Sequence, residues 1–412
     1  MGKGQLILLY SGEEDEIFIG NPQTTFFKNV FIRHTNFSYE HIIHNLKGGV
    51  KFGETITFDI THVGDLIQNM YLHIVLPSIE DDTINYNYTE SVGHAIIDNI
   101  RLLIGEQIYD QYNGEYLELY SELNNDYGKQ LSLDKLINKV GYYSNSIVNR
   151  KQQDLWIPLA FWFCKDTYSS LPISALSNSS IKIEVKLRKF TDIVSGNNIL
   201  SCNNYDNKKI TKCELLGKHY FLDTQERTTF LSKPLEYCIT QTNMYLNQNI
   251  QNNLQTDATA NNIIPSNYNI DIPFKCLLKE LFWTINTDIN IEQNNYFKYT
   301  NSNQINHFYK GRLQLNGDDI MDTMDNTYFS KILPYEFYKM IPINRNFAVY
   351  PFSCKPFDNH PTGHLNLFLT KSFNIQLETV QTISNQYVNI YGTSYNVIRI
   401  ENGISKMYYV YV

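Results

Sequence analysis

Alternation of polar and apolar side chains at period two recurs along this chain and sets its predicted architecture. Glu54–Ile60 (ETITFDI) and Ile181–Leu187 (IKIEVKL) alternate cleanly, as half-buried strands do. Met70–Leu76 is a more continuous apolar run ended by Pro77. Ala95–Ile104 is another, closed by a hairpin turn at Gly105-Glu106 with a return over Gln107–Tyr109. Leu155–Phe163, with Trp156, Phe161 and Trp162, also reads as a strand. In the second half, strands are expected at Leu215–Leu222, Tyr237–Tyr245, Tyr268–Phe274, Leu277–Ile285, Gly311–Leu315, Leu365–Leu369 and Ser372–Leu377, with two more near the end. Helical spacing is scarcer. Gly114–Leu123 (GEYLELYSEL) aligns Tyr116, Leu119, Tyr120 and Leu123, and Leu131–Val140 allows a short helical turn.

The stretch Gly20–Ser38 (GNPQTTFFKNVFIRHTNFS) organises the start of the chain. Asn21 offers a capping oxygen and Pro22 suits the first helical position. Phe26, Phe27, Val30 and Phe31 then fall at i, i+1, i+4 and i+5, on one face of a predicted short helix. Lys28, Asn29 and Arg33 take the other face. His34-Thr35-Asn36 breaks the pattern, and Phe37–Ile43 enters a domain as an extended strand.

The two halves repeat one another. Thr57-Phe58-Asp59-Ile60, ahead of LHIVLP, corresponds to Asn269-Ile270-Asp271-Ile272, ahead of KELFWTIN. The strand, glycine turn and return from Arg101 to Asp110 correspond to those from Arg312 to Asp322. Phe161–Lys165 and Pro351–Lys355 each precede a proline-containing loop and an alternating strand. Three correspondences in one order argue for two tandem copies of one β domain. Many short strands, long loops and few helices point to an all-β chain of two jelly-roll sandwiches with a few short helices. The expected boundaries are an arm and anchoring helix over 1–36, a first jelly roll over 37–195, a linker over 196–212 and a second jelly roll over 213–412. Three such subunits carry six similar domains and present a nearly hexagonal outline.

Composition narrows the function. At 412 residues, each half is large enough to bury its own core without disulfides or metals. The 31 Tyr and 23 Phe favour strands, cores and subunit interfaces. Asn is concentrated between Asn243 and Asn306, and Asn247–Asn262 reads as exposed loop. A net charge of −8, with no run of Lys or Arg, argues against direct contact with nucleic acid. Cys164, Cys202, Cys213, Cys238, Cys276 and Cys354 lack zinc spacing and are too sparse for a disulfide scaffold. Reduced, mostly buried thiols of a cytosolic protein are expected. Gln5–Tyr10 is too short for a signal-peptide core. The most apolar run, Leu155–Cys164, contains Pro158 and is too short to span a bilayer, which predicts a chain made soluble. Asn36, Asn87 and Asn178 head glycosylation sequons that need secretory passage to matter, and they are expected to be unused.

Candidate chemistry is thin. His41-x-x-His44 offers two metal ligands, but the flanking pattern is extended and no third ligand is nearby. His360 and His364 flank a proline loop that exposes them. Asp318-Asp319 with Asp322 resembles a cation loop but lacks the ligand order of a calcium site. Gly48–Gly53 has the wrong order for a phosphate loop, and the hydrolase, metalloprotease and nucleotide-binding patterns are absent. The reading is of no catalytic residue, no cofactor and no metal.

One resemblance organises these observations. N-P-Q-x-T-F-F-K-x-V-x-x-R-H-T-N-F is carried here by Asn21, Pro22, Phe26, Phe27, Lys28, Arg33, His34, Thr35, Asn36 and Phe37. It is similar to the start of the major capsid proteins of the nucleocytoplasmic large DNA viruses. Gly93–Ile97, GEQIYDQYNGEYLELYSEL, the block with Trp156, Pro158, Phe161 and Trp162, and Leu171–Leu176 resemble further blocks of that family. So does the closing segment that starts at Tyr395 and Asn396, and the likeness runs almost end to end. The resemblance implies a double jelly roll with eight strands per sandwich, a homotrimeric pseudo-hexagonal capsomer and an icosahedral shell around an internal membrane. It implies minor capsid proteins as partners, synthesis in the host cytoplasm at a viral factory, and residence in the virion capsid. Met1–Gly20 is the candidate for contacts on the inner side. The turn at His360-Pro361-Thr362-Gly363 is kept, but the family's Ser-Arg after it is missing. A penton, minor capsid or membrane-scaffold paralogue is therefore the alternative, with a carbohydrate-binding β-sandwich further behind.

Overall fold

The computed structural model describes residues 2–10, 12–29, 31–46, 48–79, 86–139, 150–195, 208–250, 265–300, 306–343, 345–380 and 384–409. Met1–Asn36 and Phe37–Val412 are two separate units. In the first, Lys3–Leu8 and Glu16–Ile19 are short helices, with a 3-10 turn at Glu13–Asp15 between them. Every described residue of this arm is exposed.

The expected helix behind Pro22 is not formed. Asn21 takes a left-handed φ of 49°, and the described residues from Pro22 to Asn36 form no helix. Thr24, Thr25, Phe26 and Phe27 are poor helix formers, and an isolated helix of this length is marginal without a surface to bury against. Phe26 and Phe27 are 96% and 99% exposed, so that surface is missing here. Val30, the third residue of the predicted apolar face, lies outside the described residues, as do most of the expected linker over 196–212, the Asn/Gln-rich loop beyond Ile250, and Cys202.

Sixteen of the twenty-one strands among the described residues form the four main sheets of the body. The first eight are β1 (Phe37–Asn45), β2 (Thr55–Asp59), β3 (Leu66–Leu76), β4 (Ile97–Ile104), β5 (Gln107–Tyr112), β6 (Gln153–Pro158), β7 (Ile181–Leu187) and β8 (Lys212–Leu222). They pair as two antiparallel sheets, in the orders β1-β8-β3-β6 and β2-β7-β4-β5. The next eight are β9 (Leu235–Ile250), β10 (Pro265–Asp271), β11 (Leu277–Thr287), β12 (Phe308–Leu315), β13 (Asp318–Asp319), β14 (Ala348–Pro351), β15 (Phe373–Val380) and β16 (Gln386–Glu401). They pair as β9-β16-β11-β14 and β10-β15-β12-β13. Adding eight to each strand of the first pair of sheets gives the second. Each set is a jelly roll, so the fold is a double jelly roll of two eight-stranded sandwiches. Short strands at Leu365–Asn366 and Ile404–Met407 extend the β9-β16-β11-β14 sheet.

Alternation decides which side chains fill each sandwich. In β7, Ile181, Ile183, Val185 and Leu187 point inward; in β15, Phe373, Ile375 and Leu377 do. Strand β11 breaks that rule, because nearly all of it is buried. Leu281, Trp283 and Ile285 fill the second sandwich, whereas Phe282 joins the core of the first. A strand buried on both faces signals that something covers the outside of this sheet.

Three further expectations are corrected. Strand β8 lies between β1 and β3, so a second jelly roll opening at 213 would cut the first sheet apart. The strand predicted over Leu155–Phe163 stops at Pro158, and Trp162–Cys164 is a 3-10 turn; likewise Leu367–Leu369 is a 3-10 turn rather than strand. Pro158 removes a ladder donor, which ends β6. Among the described cysteines, Cys276 is buried, Cys164, Cys213 and Cys238 are half-buried and Cys354 is exposed, all as free thiols. Truncating Phe282 to alanine is expected to cost about 3–5 kcal/mol in urea unfolding, since it opens a cavity where the two sandwiches meet.

Candidate functional site

The outside of the β9-β16-β11-β14 sheet is covered by the helix Gly114–Asn124, which follows β5 in the first sandwich. Asn113 caps the helix, its side-chain oxygen accepting from the Tyr116 N–H at 2.9 Å. Gly114 allows the close start: a Cβ there would sit 1.9 Å from the His94 carbonyl oxygen. Glu115, Glu118 and Glu122, at i, i+3 and i+7, are all buried in the helix.

Each buried carboxylate has a stated reason to be there. Glu115 accepts four hydrogen bonds, all from the second sandwich. Thr284 Oγ1 and Tyr299 OH donate to Oε1 at 2.8 and 2.9 Å; Tyr391 OH and Asn389 Nδ2 donate to Oε2 at 2.6 and 2.7 Å. Glu118 gathers a histidine and two cations. His94 Nδ1 lies at 2.7 Å, Lys139 Nζ at 3.0 Å and Arg345 Nε, from the second sandwich, at 3.0 Å. Arg345 also reaches Glu90 at 3.0 Å, and Lys139 pairs with Glu122. Burial by itself would raise the Glu118 pKa, but Lys139, Arg345 and His94 overcome it and hold the carboxyl well below its ordinary range.

Around this centre, further polar groups bond across the sandwiches and within the second one. The Thr242 N–H donates to Asp110 Oδ1 at 2.9 Å, and burial still pushes that carboxyl up to about 7. Lys165 Nζ donates to Thr240 Oγ1 at 2.9 Å, with burial lowering its pKa. Tyr338 OH donates to Glu280 at 2.6 Å, and burial raises the Glu280 pKa. Asn396 Nδ2 donates to Gln241 Oε1 and to the Tyr409 carbonyl, each at 2.7 Å. Perturbed carboxyls and amines often mark catalysis. Here each is used up in a protein–protein hydrogen bond, and the chemistry of the seam is to fix two domains at one mutual setting.

The residues singled out from sequence are dispersed. Asn21, Pro22, Lys28, Arg33, Thr35 and Asn36 lie on the exposed arm, where His34 Nδ1 sits 2.7 Å from the Thr35 carbonyl oxygen. Phe37 opens β1, its ring 5.9 Å from that of Tyr220. Trp156 stacks on His73 at 3.9 Å, Pro158 ends β6, and Phe161 and Trp162 are buried in the first core. Gly363 takes a φ of 132°, and a Cβ there would press on the Phe352 carbonyl at 3.0 Å. Tyr395 and Asn396 lie on β16, where Asn396 bonds to Gln241 and Tyr409 within the second sandwich. His41 and His44 lie on opposite faces of β1, and His44 Nε2 instead sits 3.1 Å from His219 Nε2. Burial, with His219 adding to it, pushes the His44 pKa to about 4. Asp319 is spent on Arg312 and Gln314. Among the described residues, no group of three His, Cys, Asp or Glu side chains is placed to hold a metal ion. Sequence reasoning missed Glu115, Glu118 and Arg345. The signal present was three acids on one face of an otherwise apolar helix.

Comparison with known proteins gives this arrangement its family. Residues 25–223 match the family described as the major capsid protein N-terminus, and residues 226–405 match the large eukaryotic DNA virus major capsid protein. The chain belongs to the major capsid protein family of large eukaryotic DNA viruses. It is 26% identical to the major capsid protein of Pyramimonas orientalis virus, covering 99% of this chain and 100% of that one. It is 27% identical to the major capsid protein of Paramecium bursaria Chlorella virus 1, with the same coverage. Among solved structures, PBCV-1 VP54 matches with a TM-score of 0.76 at 23% identity, over 94% of this chain and all of that one. The Faustovirus major capsid protein matches at 0.73 with 10% identity, over 92% and 93%. The two family matches meet at residues 223 and 226, between β8 and β9, where the sheets divide. The capsid role is structural, and the seam joins the halves of a shell subunit.

Glu118 sets an acid limit for that joint. Its pKa lies below the ordinary 4.5, so its stabilisation is present above that value and is lost as pH falls below it. Thermal melts between pH 7 and 3 are expected to fall steeply at the acid end. Glu118→Ala is expected to cost about 3–5 kcal/mol at pH 7, because it leaves Arg345 and Lys139 buried without their partner.

Proposed function

We propose that this chain is a principal shell subunit whose homotrimer is a pseudo-hexagonal capsomer, tiling an icosahedral shell. The observation that carries this is the repeated strand order: one chain holds two sandwiches of the same topology at a fixed setting, and three chains offer six. The protein acts by geometry rather than by catalysis. Permanent subunit contacts of several thousand Å² hold a trimer, while weaker contacts between capsomers allow errors to dissociate during assembly. A net charge of −8 keeps the shell subunit off the genome. The reading places synthesis in the host cytoplasm at a viral factory and the finished protein in the virion.

The arm is assigned to the inner side, facing minor capsid proteins or an internal viral membrane. Supporting this, Leu6–Tyr10, Ile17–Ile19, Phe26, Phe27, Phe31 and Ile32 are all exposed, more apolar surface than a free arm needs. No helix among the described residues is long and apolar enough to cross a bilayer, so contact with a membrane would be by lying on it or through partners.

Light scattering on a size-exclusion column is expected to give three subunits per particle; a single-subunit mass sinks the capsomer reading. Deleting Met1–Gly20 is expected to leave that mass unchanged and to impair shell assembly. Intact shells without it would remove the arm from assembly. A paralogue rather than the principal subunit would be a minor component of purified particles.

A further inference from the structure

One contact is made once in this chain and its counterpart is left open. In the first sandwich, the helix between the fifth and sixth strands packs on the outer face of the second sandwich's β9-β16-β11-β14 sheet. That face is fully buried: Glu280, Phe282, Thr284, Tyr391 and Thr393 are all at or below 1% exposure. The second sandwich has the equivalent helix between its own fifth and sixth strands, a π turn Tyr328–Ile332 continuing as the α-helix Leu333–Phe337. Its inner residues Phe329 and Leu333 are buried in the second core, but Tyr335 is 78% and Ile332 50% exposed. Beside them stands Ile343, also exposed, in a loop tied back by Lys331 Nζ donating to the Pro342 carbonyl at 2.6 Å.

The equivalent sheet face, on the outside of β1-β8-β3-β6, is open along β1 and half-buried further in. Cross-strand register places Ile43, Leu216, Tyr71 and Pro158 in one row. Two residues along lies the pair His41 and Lys218, and two further lie Tyr39 and Tyr220. Tyr39 and Ile43 are exposed, Leu216, Tyr71 and Pro158 half-buried, and Tyr220 buried. Lys218 lies 4.2 Å from the Tyr39 ring centre, a cation on an aromatic face, while the open helix carries an exposed Glu336.

We infer that these two surfaces are one interface: the Tyr328–Phe337 helix of each copy docks on the β1-β8-β3-β6 face of the next. This rests on the trimer reading above and says which surfaces build it. The occupant is a second copy because the chain already contains the complementary pair, in the same topological positions, joined within itself. The two surfaces differ, so the contact is head-to-tail, and such a contact makes a ring when its rotation closes. With three copies, the helix-on-sheet contact occurs six times, three within chains and three between them. Tyr335 is the anchor, a large amphipathic side chain of the kind that dominates interface energies. Glu336 opposite Lys218 supplies charge complementarity and register.

The experiment compares solution masses of wild type, Ile332→Lys/Tyr335→Lys and Tyr39→Lys/Ile43→Lys. All substituted side chains are exposed, so each variant is expected to keep the wild-type circular dichroism and melting of a monomer. Both variants are expected to show a threefold fall in mass. Mixed in equal amounts, they are expected to give a two-subunit species, since one brings an intact helix and the other an intact sheet. Tyr335→Ala adds no charge and is expected to weaken the trimer about tenfold or more, which keeps the test valid if a lysine variant misfolds. A trimeric wild type whose helix or sheet variant stays trimeric overturns this interface and leaves the capsomer reading standing. A monomeric wild type overturns the capsomer reading itself.

Discussion

Everything in the body depends on burying the acidic helix Gly114–Asn124 against a sheet from the other half of the chain. A carboxylate taken out of water is costly unless all its hydrogen-bonding capacity is met. Glu115 meets it with four neutral donors, and Glu118 with two cations and a histidine. Because all four donors to Glu115 belong to the second sandwich, any rotation between the halves breaks several strong bonds together. A hydrophobic seam would tolerate sliding; a seam with aimed donors does not. The first sandwich is thereby registered on the second, and the setting of the two is as well defined as the interior of either.

Much of the fold was legible because jelly-roll strands alternate and the chain repeats. The parts that read cleanly, such as Ile181–Leu187 and Phe373–Leu377, have one face inward and one outward. Leu277–Ile285 was recognisable as strand, but its double burial was not, since alternation carries no information about what lies beyond the sheet. The opening helix was misread for the opposite reason. Its apolar periodicity was real, but a period is no substitute for a surface to bury on, and local propensity there disfavours helix. The boundary between sandwiches was placed before β8 because the polar 196–212 segment looks like a linker. Only the pairing of β8 with β1 and β3 shows that the last strand of the first sandwich comes after it.

The candidate site was less legible than the fold. Metal and catalytic motifs announce themselves by spacing along the chain, whereas the seam joins residues more than two hundred positions apart, such as Glu118 and Arg345. Three glutamates on one helical face were visible, but nothing in the sequence says which cation answers them. Most of the family motif lies in the exposed arm, and only its last residue, Phe37, enters a strand.

The pairing of β1 with β8 also has a consequence in time. Among the described residues, Phe37–Asn45 has its only in-sheet neighbour at Lys212–Leu222, so the first sandwich cannot close until more than 160 residues have followed β1 out of the ribosome. At ordinary translation speeds of 5–20 residues per second, that is roughly ten to thirty seconds. The second sandwich waits in the same way, since Leu235–Ile250 pairs with Gln386–Glu401 near the end of the chain. Until then, Phe- and Tyr-rich strand edges are open to every neighbouring nascent chain. A protein made in the quantity a shell requires therefore faces its greatest risk of aggregation on the polysome, before any copy has folded.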